Sequence, residues 1–306
     1  MGVNSGILLV DKPQGITSHD VVARMRRLAG TRKIGHAGTL DPMATGLLVL
    51  GVDSATRLLH YLVGLDKEYF ATIRLGWGTT TDDAEGEALP ATDADRAAIA
   101  GLTDEAVRDA MRLQVGEIDQ VPSAVSAVKV DGKRAYQRVR DGEQVELASR
   151  RVTVSVFEPL ASRAGEGCLD LDVRVECSSG TYVRALARDL GAALGTAGHL
   201  TALRRSRIGR YSVDEAGELE GFDVAASLIG PADAARRSLP VVEVSAAEAV
   251  DLGHGKRVAV DAARLATSDR HAPLAAIGPG NRLIAIVERR GDQLKVVTGF
   301  PQEAQS

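Results

Sequence analysis

The sequence is poor in cysteine and has no long apolar run. Its 306 residues include only two cysteines, Cys168 and Cys177, nine positions apart, which fits no zinc-ligand spacing and predicts two reduced thiols. The sequence contains no run of about 18 uncharged apolar residues, so no transmembrane helix is predicted. The first residues lack a secretory signal pattern, and the nucleotide-binding sequences GxGxxG and Walker A are absent. We therefore expect a cytoplasmic globular protein without a membrane anchor.

The charge balance argues only weakly against a nucleic-acid partner. The formal net charge is −4, but only the face that meets phosphates must be positive. Asp20–Gly38 carries five cations and one acid, and Thr181–Arg210 carries six cations and one acid. Acids are concentrated elsewhere, as in TDDAEGE (Thr81–Glu87). The two basic segments fit either an RNA-binding surface or ordinary solvated helix faces.

Hydrophobic periodicity predicts an α+β protein. Helices are predicted at Thr17–Gly30, with Thr17 or Ser18 as the N-cap, at Thr103–Ile118 and after Gly180. Strands are predicted at Gly6–Pro13, Leu47–Val52, Lys67–Gly76, Arg151–Leu160 and Leu169–Gly180. No regular βαβ repeat is visible, which argues against a Rossmann sheet. The polar segment Gly230–Pro240 predicts a boundary, followed by short strands that predict a small β module.

One loop combines glycines with a single carboxylate. In GHAGTLDPMATGLLVLGV (Gly35–Val52), Asp41 stands between Leu40 and Pro42. The glycines permit a tight bend and the approach of a large substrate, and Pro42 restricts the turn. Such an acid could be a nucleophile, a general base or a metal ligand, although no cluster with ligand spacing is nearby. An Asx-turn or a helix N-cap is the structural alternative.

Several separate motifs share one resemblance. The longest are GILLVDKPQGITSHDVV, GHAGTLDPMATGLLVLGVDSATR, KEYFATIRLGWGTTTDDAEGE, QVPSAVSAVKVDGKRAYQRVRDGE and CSSGTYVRALARDLGAAL. In this order they resemble the TruB-type tRNA pseudouridine-55 synthases over most of residues 5–210, and the similarity is looser beyond residue 238. The high alanine, arginine and glycine content agrees with a bacterial, actinobacterial-type member.

The resemblance implies a fold and a domain organisation. It implies the pseudouridine synthase fold, with a mixed, largely antiparallel central sheet flanked by helices, in a catalytic domain of residues 1–238. Residues 120–151 would form an insertion that clamps the RNA. Residues 239–306 would form a small PUA-like β module that grips tRNA away from the active site.

The resemblance also implies a reaction and its residues. Asp41 matches the catalytic aspartate, either as the nucleophile or as the base that starts glycal formation, and no cofactor or metal is required. Tyr69 would stack on the flipped uracil, Arg184 would keep Asp41 ionised, and His36 would contact the RNA loop. Tyr182 and Leu203 would line the base. The residues expected to support the loop are Lys12, Pro13, Gly38 and Thr39.

The expected partner is tRNA, bound through its T-arm stem-loop. We expect a monomer that needs neither a guide RNA nor a protein partner. Two alternatives remain open. One is an RNA-binding folding factor that uses the same surface without catalysis. The other is a guide-RNA-dependent synthase, against which the insertion at residues 120–151 argues because guide-dependent relatives lack it.

Overall fold

The computed structural model describes residues 4–123, 147–261, 264, 269 and 271–301, and the backbone of residues 129–130 and 133–134. The chain divides into two units. The first unit consists of Met1–Asp41, Gly46–Leu65 and Ile208–Ser306. The second unit consists of Pro42–Thr45 and Asp66–Arg207. Most of the predicted insertion at residues 120–151 lies outside the described residues.

The described residues form seven α-helices. They are α1 (Ser18–Ala29), α2 (Leu59–Val63), α3 (Asp93–Ala100), α4 (Asp104–Arg112), α5 (Val183–Ala193), α6 (Pro231–Ser238) and α7 (Ala246–Gly253). Two short 3₁₀ helices cover Asp53–Leu58 and Val213–Glu215. Within the part of the chain that the structure covers, no helix is long and apolar enough to cross a membrane.

Strands make up much of the remainder. The first eight are β1 (Gly6–Lys12), β2 (Ile34–Ala37), β3 (Thr45–Val52), β4 (Lys67–Leu75), β5 (Gly116–Gln120), β6 (Lys129–Val130), β7 (Lys133–Arg134) and β8 (Arg150–Gly165). The others are β9 (Cys168–Cys177), β10 (Gly198–Ile208), β11 (Tyr211–Ser212), β12 (Gly217–Glu218), β13 (Val241–Glu243), β14 (Val258–Ala259), β15 (Leu274–Gly278), β16 (Arg282–Arg290) and β17 (Gln293–Gly299).

Helix α1 begins and ends where its sequence predicts. Thr17 is the N-cap and forms a capping box with Asp20, and Gly30 ends the helix in the left-handed conformation with φ of 66°. Val21, Val22 and Met25 face the interior. The prediction of this helix is confirmed, and the structure assigns the cap to Thr17 rather than Ser18.

Strand β1 lies inside the sheet of the first unit. It pairs antiparallel with β3 and parallel with β12, and β3 pairs antiparallel with β2. Both faces of β1 are buried: Ile7 belongs to one apolar cluster, and Leu8 belongs to another that includes the apolar face of α1. A strand covered on both sides reads as a continuous apolar run, as GILLV does.

The carboxyl-terminal strands form a second sheet in the first unit. Its order is β13-β15-β16-β17-β14, with β13 and β15 parallel and the other pairs antiparallel. One face packs against Leu252 of α7. Ile277 and Phe300 belong instead to the cluster that contains Ile7 of β1. The predicted carboxyl-terminal β module is therefore present, although its boundary at residue 238 stays a prediction.

The second unit contains a sheet with one apolar and one charged face. The strand order is β10-β4-β9-β8-β5, and β4, β9, β8 and β5 pair antiparallel along it. On β9, Leu171 and Val173 point to the interior, whereas Asp172 and Arg174 point to the opposite face and form ion pairs. The mixture of helices with mixed, largely antiparallel sheets confirms the α+β class.

One predicted helix is too long, and the segment that the sequence shows only as polar contains a helix. The helix predicted at Thr103–Ile118 ends at Arg112, because Gly116 takes a φ of 102° and the residues after it pair with β8. The polar segment predicted as a boundary is helix α6. Pro231 occupies its first turn, where a missing N–H costs nothing, and three alanines, of which Ala235 is one, give α6 a buried face.

Candidate active site

The predicted site residues fall into two groups, one in each unit. The residues of the first unit are Lys12, Pro13, His36, Gly38, Thr39 and Asp41. The residues of the second unit are Tyr69, Tyr182, Arg184 and Leu203. Each unit therefore builds its group on its own strands and helices, and the pairing of Arg184 with Asp41 stays a prediction.

Lys12 ends β1 with a fully buried side chain. Its Nζ donates to the carbonyl oxygen of Pro13 at 2.9 Å and to that of Ile16 at 2.7 Å. A buried ammonium is stable only where it is hydrogen-bonded. Here it connects the end of β1 to the residue before the cap of α1. This contact agrees with the supporting role predicted for Lys12 and Pro13.

Asp41 lies in the turn between β2 and β3. The turn contains Gly38 with φ of 86°, a conformation that residues with a Cβ rarely adopt. Asp41 is half-buried, and Leu40 before it is buried. Pro42 restricts the residue before it to extended conformations. The loop therefore holds a carboxylate in a restricted backbone, at the boundary between the interior and solvent.

Ser18 contacts this loop from the first turn of α1. Its Oγ donates to the carbonyl oxygen of Leu40 at 3.0 Å and accepts from the N–H of Leu40 at 2.9 Å. Ser18 is itself buried. The sequence shows it only as a possible helix cap, so this contact was missed. The Thr-Ser pair at the helix start is the signal that could have indicated it, because one residue suffices as the cap.

His36 lies on β2, opposite Leu50 of β3. Its ring meets the ring of His19 edge to face, with 5.6 Å between centroids and 82° between planes. This is the geometry that aromatic pairs prefer. His19 is exposed and His36 half-buried. The first turn of α1 therefore contacts the loop segment both at Leu40 and at His36.

Tyr69 and Leu203 lie on strands of the second unit. Tyr69 is on β4 opposite Val175 of β9, and Leu203 is on β10, the other neighbour of β4. Both side chains are mostly buried, with 7% and 8% exposure. These strand positions agree with the predicted roles of Tyr69 and Leu203 in contacting the base. Side chains with this exposure also occur in an ordinary hydrophobic core.

Tyr182 is fixed through its backbone. It precedes α5 as the N-cap residue. Its N–H donates to Gln120 Oε1 at 2.8 Å, and Gln120 Nε2 donates to its carbonyl oxygen at 3.1 Å. Gln120 is buried at the end of β5. The Gln120 amide therefore holds both backbone groups of Tyr182 at the start of the helix.

Arg184 forms a buried ion pair in the first turn of α5. Its Nη1 lies 3.1 Å from Asp83 Oδ2 and donates to the carbonyl oxygen of Thr81 at 3.1 Å. Asp83 also accepts from Thr81 Oγ1 at 2.6 Å and from the N–H of Glu85 at 3.0 Å. The sequence shows TDDAEGE (Thr81–Glu87) only as an acidic segment. In the structure, Asp83 of this segment is buried, with 2% exposure.

A second buried cation accompanies Tyr69 on β4. Lys67 is 6% exposed. Burial, together with the positive charge of Arg205, lowers the pKa of Lys67 to about 8. Strand alternation places Lys67 and Tyr69 on the same face of β4. A buried amine therefore lies on the same strand face as the phenol of Tyr69.

Metal binding finds no support among the described residues. No group of three His, Cys, Asp or Glu side chains lies close enough together there to hold a metal ion. Cys168 and Cys177 are buried free thiols at opposite ends of β9. The expected absence of a metal and of a cofactor stays a prediction.

Three family models match the chain. The model described as "TruB family pseudouridylate synthase (N terminal domain)" matches residues 26–183. The model "tRNA pseudouridylate synthase B C-terminal domain" matches residues 184–235, and "tRNA Pseudouridine synthase II, C terminal" matches residues 239–301. The first match contains Asp41, His36, Tyr69 and Tyr182.

Curated relatives match along nearly the whole chain. The chain is 55% identical over 301 residues to "tRNA pseudouridine synthase B" of Leifsonia xyli subsp. xyli, which covers 98% of both chains. It is 54% identical over 303 residues to the protein of the same name from Arthrobacter sp. (strain FB24), covering 97% of this chain and 96% of that one. The actinobacterial origin of these relatives agrees with the predicted type.

A solved structure supports the fold. The chain resembles the protein in "Crystal Structure of a Cbf5-Nop10-Gar1 Complex" with a TM-score of 0.72 and 24% identity, over 97% of this chain and 84% of that one. At this identity the similarity concerns the fold alone. It agrees with the predicted pseudouridine synthase fold.

Proposed function

Because the chain belongs to the TruB family of pseudouridylate synthases, we propose that it converts uridine to pseudouridine in tRNA. The observation that carries this proposal is the match to tRNA pseudouridine synthases at 55% identity over 98% of both chains. The substrate that we propose is the T-loop uridine at tRNA position 55. The enzyme is an isomerase, so that substrate and product have the same atoms.

The reaction exchanges one bond for another at C1′ of the ribose. The N1–C1′ glycosidic bond breaks, the uracil turns, and a C5–C1′ bond forms. C5 then loses its proton, and N1 gains one. The base must leave its stack, because C1′ and C5 of a stacked loop nucleotide are not both reachable. We propose that Tyr69 stacks on the displaced uracil and that Tyr182 and Leu203 line the base.

We propose Asp41 as the catalytic carboxylate. Its half-buried place and the restricted loop backbone support this assignment. The carboxylate either attacks C1′ or removes the proton that starts glycal formation, and both roles need an ionised side chain. A neighbouring guanidinium favours the ionised form of a carboxylate, and Arg184 is the arginine that we propose for this purpose. His36 is the proposed contact with the RNA loop.

We propose that the chain acts alone on tRNA in the cytoplasm. It would bind the T-arm stem-loop as a monomer, without a guide RNA or protein partner. The names of the curated relatives support tRNA as the substrate. Residues 239–306 would hold the tRNA away from the reaction centre.

Tritium release from RNA labelled at uridine C5 tests this proposal. C5 loses its hydrogen only when a new carbon–carbon bond forms there. Wild-type protein should release tritium from a T-arm stem-loop without added RNA or protein, and Asp41→Asn should release none while still binding the RNA. Asp53→Asn is the matched control, because Asp53 is also half-buried and follows β3 in the same unit.

Each result has a distinct meaning. Release by wild type and Asp53→Asn, but not by Asp41→Asn, supports the isomerase and its carboxylate. Failure of a folded, RNA-binding wild type to release tritium contradicts the reaction on this substrate and favours an RNA-folding role. Release that depends on an added guide RNA contradicts the proposed independence from partners.

A further inference from the structure

The first turn of α1 holds the backbone immediately before Asp41 through one hydroxyl group. Ser18 Oγ accepts from the N–H of Leu40 at 2.9 Å and donates to its carbonyl oxygen at 3.0 Å. Ser18 is 1% exposed and Leu40 is 3% exposed. At this burial, water cannot replace either hydrogen bond, so one side chain satisfies both polar groups of a buried backbone.

We propose that Ser18 is a positioning residue for the isomerisation, acting on Asp41 through Leu40. This role rests on the proposed function, in which Asp41 is the catalytic carboxylate. The carbonyl group of Leu40 lies in the peptide plane that ends at the Cα of Asp41. Fixing the oxygen of Leu40 therefore fixes the direction in which the chain enters Asp41.

The restraint from Ser18 acts on a loop in which a glycine otherwise permits the backbone to bend. Gly38, with φ of 86°, lies two residues before Leu40 and has no Cβ to limit the backbone. Pro42 restricts Asp41 from the carboxyl-terminal side. Ser18 supplies the matching restraint from the amino-terminal side. Together the two restraints limit the backbone conformation from which the Asp41 side chain projects.

Ser18 is the first residue of α1 but does not cap it. Thr17 accepts from the N–H of Asp20 at 3.1 Å, and Asp20 accepts from the N–H of Thr17 at 2.9 Å, which completes the capping box without Ser18. A change at Ser18 therefore leaves the cap of α1 intact. This separation makes the positioning role testable apart from helix formation.

The test compares Ser18→Ala with Ser18→Thr, which keeps the hydroxyl, in single-turnover tritium release with excess enzyme. Ser18→Ala should slow the reaction by about 10- to 100-fold, the scale expected when a reacting group is misplaced by about 1 Å. Its dissociation constant for the stem-loop should equal that of wild type. Ser18→Thr should keep most of the wild-type single-turnover rate.

Ser5→Ala is the matched control. Ser5 is 8% exposed, and its Oγ accepts from the N–H of Ser54 at 3.2 Å, so the control also removes a serine contact to distant backbone. Ser5→Ala should react at the wild-type rate. Circular dichroism establishes that each variant is folded. If Ser18→Ala does not fold, Ser18→Cys takes its place, because a thiol is a weak hydrogen-bond donor and acceptor. The rate of Ser18→Cys should then be lower than that of wild type.

Three results would overturn the positioning role. The first is an undiminished single-turnover rate in folded Ser18→Ala, or in Ser18→Cys where the alanine variant does not fold. The second is a Ser18→Ala variant that loses RNA affinity but keeps the wild-type rate. The third is a folded Ser18→Thr variant that reacts as slowly as Ser18→Ala. If wild type releases no tritium, the proposed function fails and this role fails with it. If wild type reacts and Ser18→Ala reacts equally fast, only the positioning role fails.

Discussion

Arg184 and Asp83 form an ion pair in the interior of the second unit, with 3.1 Å between Arg184 Nη1 and Asp83 Oδ2. Their side chains are 7% and 2% exposed. Such a pair persists only where further hydrogen bonds satisfy both partners. The carbonyl oxygen of Thr81 accepts from Arg184, and Thr81 Oγ1 donates to Asp83. Asp83 is therefore part of the support of a proposed site residue.

Replacing Asp83 with asparagine should destabilise the protein and slow the reaction. The variant removes the Asp83 carboxylate from the buried charge of Arg184, and removal of one partner from a buried pair costs about 3 kcal/mol or more. Urea unfolding measures the loss, and tritium release measures the rate. Asp170→Asn is the control, because its pair with Arg74 is more exposed and should contribute about 1 kcal/mol or less. Equal losses in the two variants would contradict this ranking.

Replacing His19 with alanine should weaken RNA binding. The ring of His19 packs edge to face on His36, with 5.6 Å between centroids, and such pairs contribute about 0.5–1.5 kcal/mol. If His36 contacts the RNA loop, the loss corresponds to about a 2- to 12-fold higher dissociation constant. The single-turnover rate at saturating enzyme should not change. Filter binding with a T-arm stem-loop measures the affinity.

His60→Ala controls for the loss of a histidine ring pair elsewhere in the first unit. His60 meets Tyr61 on α2 with 5.3 Å between centroids and 80° between planes. The His60 variant should bind RNA as wild type does. If both variants weaken binding equally, the effect reflects general destabilisation, and the specific support of His36 by His19 is wrong.

Local signals were sufficient to predict much of the fold. Thr17, Asp20 and Gly30 define the ends of α1 through contacts within a few residues. The alternation along β9 indicated a strand with one buried face. Helix α4 was predicted too long because its periodicity continues past Arg112. Pairing of the residues after Gly116 with β8 depends on partners 30 or more residues away, which local periodicity does not report.

The site residues divide in the same way: local sequence indicates some of them, whereas the roles of others depend on contacts far along the chain. Asp41 could be singled out because glycines and Pro42 surround it in the sequence. Ser18 and Asp83 could not, because their roles depend on groups far along the chain. Ser18 contacts a residue 22 positions away, and Asp83 contacts Arg184 across about a third of the sequence. A serine beside a helix cap and an aspartate in an acidic segment look ordinary until the chain is folded.

Cys177 should resist alkylation in the native protein. Burial raises the pKa of the Cys177 thiol to about 11 from its ordinary value of 9.0, so the reactive thiolate is scarce. Iodoacetamide at pH 8.5 should modify it only after urea unfolding, when both cysteines react. Cys168→Ser assigns the signal in mass spectrometry. Fast modification of native Cys177 in that variant would contradict the burial argument.

The same pKa shift predicts a dependence of stability on alkaline pH. The unfolded thiol ionises near pH 9, whereas the folded thiol stays protonated until about pH 11. In that window the folded state binds more protons, so the free energy of unfolding falls as the pH rises. The stability advantage of wild type over Cys177→Ala should be constant below pH 9 and shrink between pH 9 and 11. An advantage that grows in this window would contradict the direction of the shift.

Ile277 connects the carboxyl-terminal sheet to the core around β1. It is fully buried on β15 and belongs to the same apolar cluster as Ile7 and Leu9. Ile277→Ala should lower the free energy of unfolding by about 2–5 kcal/mol. Because the cluster is shared, amide hydrogen exchange should accelerate in β1 as well as in β13–β17.

Leu252→Ala is the control for this coupling. Leu252 is equally buried, but it lies in the cluster between α7 and the opposite face of the carboxyl-terminal sheet. Its exchange increase should therefore be larger in β13–β17 than in β1, whereas Ile277→Ala should affect both. If Ile277→Ala leaves the protection of β1 against hydrogen exchange unchanged, the carboxyl-terminal sheet opens independently of β1. The shared cluster would then contribute little to the stability of β1.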